Sequence, residues 1–255
     1  MKEFAEFNTS NIMKILETHK LSKHWGGVYA VDDLSISFEQ GKIAGIIGPN
    51  GSGKSTLTNL LTGIYETDGG KLTIDGVNLK KIIPHQLPLF GLTRTFQEVR
   101  LFEQMTVLDN ILVAITEKNV FGSLFSKHTK LDEKKAEDVL NKVALWQKRN
   151  HLAINLSYGQ RKLLEIARVL VMDAKIIILD EPFAGLFKEM SKIVVDLLHE
   201  MKAQEKTIIL IEHNMELIRE LCDYLFVLDE GKLLASGQPK KVLAEKKVME
   251  AYLGE

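Results

Sequence analysis

A glycine-rich segment that could bind phosphate follows a short apolar run near the start of the chain. It satisfies the pattern G-x-x-x-x-G-K-[ST] and consists of Gly48, Pro49, Asn50, Gly51, Ser52, Gly53, Lys54, Ser55 and Thr56. Glycines allow successive backbone N–H groups to point at phosphate oxygens, and the following helix adds its positive end. We expect Lys54 to reach the β and γ phosphates of a nucleoside triphosphate and Ser55 to ligate Mg²⁺. A chance match is disfavoured because an apolar strand precedes the loop and an amphipathic helix follows it.

Acidic and imidazole side chains follow two other apolar runs. Asp180 and Glu181 come directly after residues 175–179, and His213 comes two residues after the run 207–211. The carboxyl ends of parallel strands collect ligands, so Asp180 is predicted to hold Mg²⁺ and Glu181 to accept a proton from the attacking water. His213 is a candidate contact of the γ phosphate. Without the phosphate-binding loop, an acidic pair would indicate only an exposed loop, and a lone histidine a surface or core residue.

A third motif lies just ahead of an amphipathic helix. It consists of Leu156 and then Ser157, Tyr158, Gly159 and Gln160. Ser157 and Gln160 have the S-x-x-Q spacing of a capping box, which predicts a helix start. A serine hydroxyl and free N–H groups at a helix start also bind anions, so the motif could bind the γ phosphate of ATP held by a second protomer.

Alternating strand and helix patterns predict an α/β fold with a mostly parallel sheet. The apolar runs 42–47, 175–179 and 207–211 are short and β-branched, as expected for strands covered by helices on both sides. Residues 31–38 and 71–74 predict an antiparallel β layer beside this core. Helical patterns at 107–115 and 131–145 predict an inserted helical subdomain. We therefore predict an ATP-binding α/β core with its antiparallel layer at 11–91 and 156–238, the helical subdomain at 92–155 and a C-terminal helical tail at 239–255.

Composition limits the classes of partner. The 255 residues carry 33 Lys and Arg against 34 Asp and Glu, and this net charge of -1 gives no reason to expect nucleic-acid binding. The single cysteine, Cys222, cannot form an internal disulfide, and the first ten residues lack the build of a signal peptide. No apolar run approaches the roughly 18 residues of a membrane span. We expect a cytoplasmic chain that reaches a membrane only through partner proteins.

In their order and spacing, these motifs closely resemble the ABC (ATP-binding cassette) ATPase family over nearly the whole chain. The resemblance assigns a Q-loop glutamine to Gln97, a switch histidine to His213 and an adenine-stacking aromatic residue to Trp25, with Tyr29 as the weaker candidate. It implies ATP and Mg²⁺ as cofactors, with Gln97 as a further metal ligand and catalytic residue beside Lys54, Glu181 and His213. It also implies a head-to-tail dimer, identical or with a related second ATPase, in which Ser157 to Gln160 contact the partner's ATP.

Within the family, the segments 91–97 and 101–110 and the last five residues look most like ATPases of branched-chain amino-acid importers. This resemblance implies permease subunits as direct partners, a solute-binding protein as an indirect one and a peripheral position on the inner face of the cell membrane. A cassette for urea or amides, a non-transport ABC ATPase acting as a clamp and a nucleotide-binding regulator without turnover are the alternatives. Two residues depart from the family pattern: Tyr158 replaces a glycine, and Phe187 stands where Asp or Asn is common.

Overall fold

The computed structural model describes residues 13–79, 81, 83–95, 99–116 and 129–253. The strands are β1 (Lys14–Trp25), β2 (Val28–Leu34), β3 (Ser37–Glu39), β4 (Ile43–Ile47), β5 (Gly69–Ile74), β6 (Val77–Leu79), β7 (Leu92–Arg94), β8 (Ile176–Asp180), β9 (Thr207–Ile211), β10 (Tyr224–Asp229) and β11 (Lys232–Gly237). Gln97, predicted as a catalytic residue and metal ligand, lies outside the described residues.

Helices connect these strands. They are α1 (Lys54–Leu61), α2 (Val107–Thr116), α3 (Lys130–Lys142), α4 (Tyr158–Val171), α5 (Lys188–Ala203), α6 (Met215–Leu221), α7 (Pro239–Val242) and α8 (Lys246–Leu253), with short 3-10 helices at Pro84–Phe90, Trp146–Lys148 and Ala153–Asn155. Helix α3 ends three residues before the predicted limit at 145, and Ala144 just beyond it has a left-handed backbone (φ +55°). No helix within the described residues is both long and apolar enough to span a bilayer.

A six-stranded sheet forms the core, in the order β11-β10-β4-β9-β8-β7. The pairs from β10 to β7 are parallel, and β11 is the antiparallel edge strand. Residues 92–94 were predicted to belong to the helical subdomain, and this boundary was wrong. Leu92 pairs with Ile176 and Arg94 with Ile178, so β7 is the other edge of the sheet. Three residues are too few to show a strand pattern in the sequence.

Both faces of the sheet are buried, but by different elements. Ile177, Leu179 and Leu210 point into a core shared with the helices from α2 to α8. Ile178 and Ile209, one position along their strands, point into a second core that contains Leu57 of α1 and residues of β1, β2, β3 and β5. The prediction that helices cover both sides was therefore incomplete, because the antiparallel layer joins α1 on the second face.

The antiparallel layer has the strand order β2-β1-β5-β6, with β3 also paired to β1. The predicted strand at 31–38 is two strands, β2 and β3, which pair with different parts of β1. Between the core strands β7 and β8 the chain forms α2, α3 and α4, which contact one another. The C-terminal helices α7 and α8 pack on β11, with Val242 and Val248 buried. The domain limits near residues 156 and 239 remain predictions.

Candidate nucleotide-binding and hydrolysis site

The phosphate-binding loop joins the end of β4 to the start of α1, as predicted. A Cβ atom on Gly48 would lie 2.2 Å from the Leu228 carbonyl oxygen and 2.4 Å from Ser52 Oγ. A Cβ atom on Gly53, which has φ +100°, would lie 2.3 Å from the Ala30 carbonyl oxygen. Only glycine fits at either position, because the neighbouring backbone comes too close for any side chain.

The side chain of Lys54, the first residue of α1, is buried and reaches back into this loop. Its Nζ donates hydrogen bonds to the carbonyl oxygens of Gly48 (2.7 Å) and Pro49 (2.9 Å). Burial lowers the pKa of Lys54, while the negative charges of Glu181 and Asp180 oppose that change. The predicted acidic pair is therefore within electrostatic reach of the predicted phosphate-binding ammonium.

Asp180 ends β8 and forms a buried ion pair with Arg94 that no sequence motif predicted. Its Oδ2 lies 2.9 Å from Arg94 Nη2, with side-chain exposures of 4% and 7%. Arg94 also donates to Asn59 Oδ1 (2.6 Å) and Thr62 Oγ1 (3.3 Å) of α1 and its C-cap. Arg94 thus holds Asp180 between the edge strand and the helix that follows the phosphate-binding loop.

Glu181 and His213 lie side by side at the carboxyl edge of the sheet. His213 Nε2 is 3.0 Å from Glu181 Oε1. Glu181 has a left-handed backbone (φ +47°), a conformation that costs free energy for a residue with a side chain and is concentrated at functional sites. The next strand supplies a second unforeseen residue. Glu212 is buried, and its carboxylate accepts hydrogen bonds from the backbone N–H groups of Phe183 (3.2 Å) and His213 (3.1 Å).

The predicted capping box at the start of α4 is present. Ser157 Oγ accepts from Gln160 N–H (3.4 Å), and Gln160 Oε1 accepts from Ser157 N–H (3.1 Å). Tyr158 is half exposed, whereas Gly159 is buried. A Cβ atom on Gly159 would lie 2.5 Å from Met190 Sδ of α5, so glycine allows these two helices to approach closely.

Trp25 lies at the turn between β1 and β2, with 47% of its surface exposed. Its ring meets that of Tyr65 edge-on at a centroid distance of 5.2 Å, which leaves surface for another contact. Tyr29 stacks on His24 at 5.4 Å. The adenine-stacking role of Trp25 remains a prediction.

The oxygen atoms of Ser55 and Asp180 suit Mg²⁺, which prefers one or two protein oxygens together with phosphate oxygens and water. Ser55 follows Lys54 on the exposed side of α1, and the Asp180 carboxylate stands at the same edge of the sheet. Among the described residues, no three His, Cys, Asp or Glu side chains cluster as a metal site.

Comparisons with known proteins identify the family of this chain. The family model described as "ABC transporter" matches residues 31–184. The chain is 38% identical over 251 residues to the high-affinity branched-chain amino acid transport ATP-binding protein LivG of Salmonella typhimurium (94% of this chain, 98% of that protein). It is 36% identical over 248 residues to the probable LivG of Archaeoglobus fulgidus (95% and 96%).

Solved structures show the same fold. A nucleotide-free ATP-binding cassette from an ABC transporter superposes with a TM-score of 0.83 at 35% identity, covering 95% of this chain and all of that one. A cassette in its ADP conformation gives the same TM-score, identity and coverage. The chain therefore belongs to the ABC transporter family, as an ATP-binding and ATP-hydrolysing subunit.

Proposed function

We propose that the edge of the sheet where Lys54, Asp180, Glu181 and His213 converge is the hydrolytic centre. The contact of 3.0 Å between Glu181 and His213 is the observation that carries this assignment. Glu181 accepts the proton of the attacking water, and His213 orients that carboxylate and contacts the γ phosphate. Lys54 binds the β and γ phosphates. Ser55 and Asp180 would hold Mg²⁺, with Gln97 as the further ligand predicted from the sequence, and the ion would supply positive charge to the phosphates.

Replacing Glu181 by glutamine tests this assignment. The variant removes the base and keeps the shape, so we expect turnover to fall by about 10²- to 10⁴-fold while ATP still binds. Phosphate release and ATP affinity are measured together. Glu220→Gln, the same change on the exposed side of α6, is the matched control and should retain full activity. A Glu181→Gln rate above about a tenth of wild type would contradict the assignment.

In this proposal, two copies of the chain form a head-to-tail dimer, and each copy completes the ATP site of the other. The first N–H groups of a helix have no intrahelical acceptor, so the start of α4 offers donors to the γ phosphate of ATP bound by the other copy. In the slowly turning Glu181→Gln variant, ATP should convert the 28.8 kDa chain into a dimer, measured by sedimentation. Adding Ser157→Arg should prevent that conversion, because a long side chain fills the space for the phosphate. An ATP-induced dimer that tolerates Ser157→Arg would exclude this interface.

A groove of about 370 Å³ beside β7 and α4 is the proposed docking site for a permease segment. Arg94, Arg100, Phe102 and Arg168 line it, and the Arg168 guanidinium stacks over the Phe102 ring at 5.1 Å. Docking there would place the chain on the inner face of the membrane. Arg100→Glu should abolish co-purification with the permease subunits and leave the isolated ATPase active. Lys20→Glu, a charge reversal in the antiparallel layer, should affect neither property.

The proposed solutes are branched-chain amino acids, taken up through the permease with a solute-binding protein. The carrying observation is the full-length similarity to proteins named as branched-chain amino acid transport subunits. The assembled transporter in liposomes, loaded with ATP on the cassette side, should accumulate labelled leucine. ATP-dependent uptake of urea without leucine uptake would replace this solute class by the alternative one.

A further inference from the structure

Glu212 is a buried carboxylate that the proposed mechanism does not use. It follows β9 directly and is 5% exposed, and its two oxygens serve different loops. Oε1 accepts from the N–H of Phe183, in the turn after β8, and Oε2 accepts from the N–H of His213. The Asn214 N–H is a further donor to this carboxylate. A single side chain therefore joins the loops that follow two adjacent parallel strands.

Both loops carry residues of the proposed hydrolytic pair. The turn after β8 contains Glu181, whose left-handed backbone needs surrounding contacts to persist. The loop after β9 contains His213 and continues to Asn214, whose Oδ1 accepts from the N–H groups of Glu216 and Leu217 and caps α6. The Glu181–His213 contact thus depends on how these two loops lie relative to each other.

The negative charge of Glu212 does not itself add to the stability of the fold. Burial raises the pKa of Glu212, an effect that its backbone hydrogen bonds only partly offset and that the nearby Glu181 increases. The ionised form is therefore disfavoured by folding, so the charge of this carboxylate does not itself stabilise the fold. A buried charge that does not stabilise the fold is expected where function requires it.

We propose that Glu212 is a positioning residue for hydrolysis, whose carboxylate fixes the loop of Glu181 against the loop of His213 and so holds the two side chains in contact. The inference rests on the proposed catalytic role of Glu181. Glu212 itself touches neither ATP nor the attacking water in this scheme. Its loss should affect kcat and leave KM for ATP nearly unchanged, because the phosphate-binding loop lies on other elements.

The experiment compares Glu212→Gln with Glu220→Gln. The amide keeps one acceptor and presents donors where Glu212 accepted a backbone N–H, so the two loops are no longer joined. We expect kcat to fall by about tenfold, KM to change by less than about twofold and Tm to fall by about 2 to 12 °C, because one buried backbone N–H loses its acceptor. The control should match wild type in all three. An unchanged kcat would overturn the inference, because Glu212 would then have no role in hydrolysis. An insoluble protein, or a lower Tm together with loss of ATP binding, would also overturn it and assign Glu212 to folding.

A double-mutant cycle with His213→Ala provides the second readout. If Glu212 acts through the Glu181–His213 contact, Glu212→Gln should cost little further activity once His213 is removed. Multiplicative losses would show independent roles and overturn the inference. The two proposals fail separately: an active Glu181→Gln refutes the assigned base, whereas an inactive Glu181→Gln with a fully active Glu212→Gln refutes only the positioning role.

Discussion

Replacing Arg94 by methionine should destabilise the protein more than the loss of any exposed ion pair. The Asp180 carboxylate would remain buried without its guanidinium partner. Asn59 and Thr62 would also lose the donor that ties α1 and its C-cap to the edge strand β7. The substitution keeps an apolar stem of similar length, so the electrostatic loss dominates over any cavity.

The expected magnitude follows from burial. Breaking a buried pair by removing one partner costs about 3 to 5 kcal/mol, whereas exposed pairs contribute about 0 to 1 kcal/mol. A change of 1 kcal/mol shifts Tm by about 2 to 4 °C for a protein of this size, so Arg94→Met should lower Tm by about 6 to 20 °C. Adding Asp180→Asn removes the stranded charge and should recover most of the loss, to within about 1 to 2 kcal/mol of wild type.

Urea unfolding followed by circular dichroism measures these differences. Lys175→Met is the matched control, because the Lys175–Asp75 pair has a similar N–O distance of 2.7 Å but side-chain exposures of 63% and 38%. Its free energy of unfolding should change by less than about 1 kcal/mol. If Arg94→Met cost no more than the control, or if Asp180→Asn failed to restore stability, the argument from a stranded buried charge would be refuted.

Three further predictions follow from other parts of the structure. Phe187 is the N-cap of α5, with cap dihedrals (φ -72°, ψ 160°), no side-chain capping hydrogen bond and 76% exposure. Because asparagine can cap the helix, Phe187→Asn should raise the free energy of unfolding in urea by about 1 kcal/mol, and a loss of stability would contradict this. Trp25→Ala should weaken ATP binding by about 5- to 150-fold in titration calorimetry, the range for one base stacked on an aromatic ring. The ATP affinity of Tyr29→Ala should stay within about twofold of wild type, and equal losses would exclude Trp25 as the stacking residue. Burial raises the pKa of Cys222 to about 12, so at pH 8 about one thiol in ten thousand is ionised, and Ellman's reagent should label it only after unfolding. Rapid stoichiometric labelling of the native protein would contradict the buried position.

The sequence predicted the parts of the fold whose signals are local. Residues 43–47, 176–180 and 207–211 form strands because runs of buried β-branched residues have few other stable arrangements. The phosphate-binding loop was predicted because glycine and lysine are required at fixed spacing, and the positions of Gly48 and Gly53 show the steric reason. The capping box of Ser157 and Gln160 depends on residues three apart and was predicted for the same reason.

Features that depend on distant contacts were missed. Arg94 and Asp180 are 86 residues apart, and the three-residue strand that carries Arg94 has no pattern of its own. Glu212 precedes His213 without a local pattern that marks its role, because its contact with Phe183 exists only once β8 and β9 are neighbours. The left-handed backbone of Glu181 likewise depends on tertiary contacts rather than residue type, since glutamate rarely adopts it.

The alternation of the core strands makes the central sheet a partition between two separate apolar compartments. Ile177 and Ile178 are adjacent in β8 but belong to different compartments, and Leu210 and Ile209 repeat this arrangement in β9. A displacement of the helices on one side can reach the antiparallel layer only through the strand backbones or around the rim. The loops after β4, β8 and β9, which carry the proposed nucleotide-binding and catalytic residues, all lie on that rim, where a small rotation of the elements on either face would displace them directly.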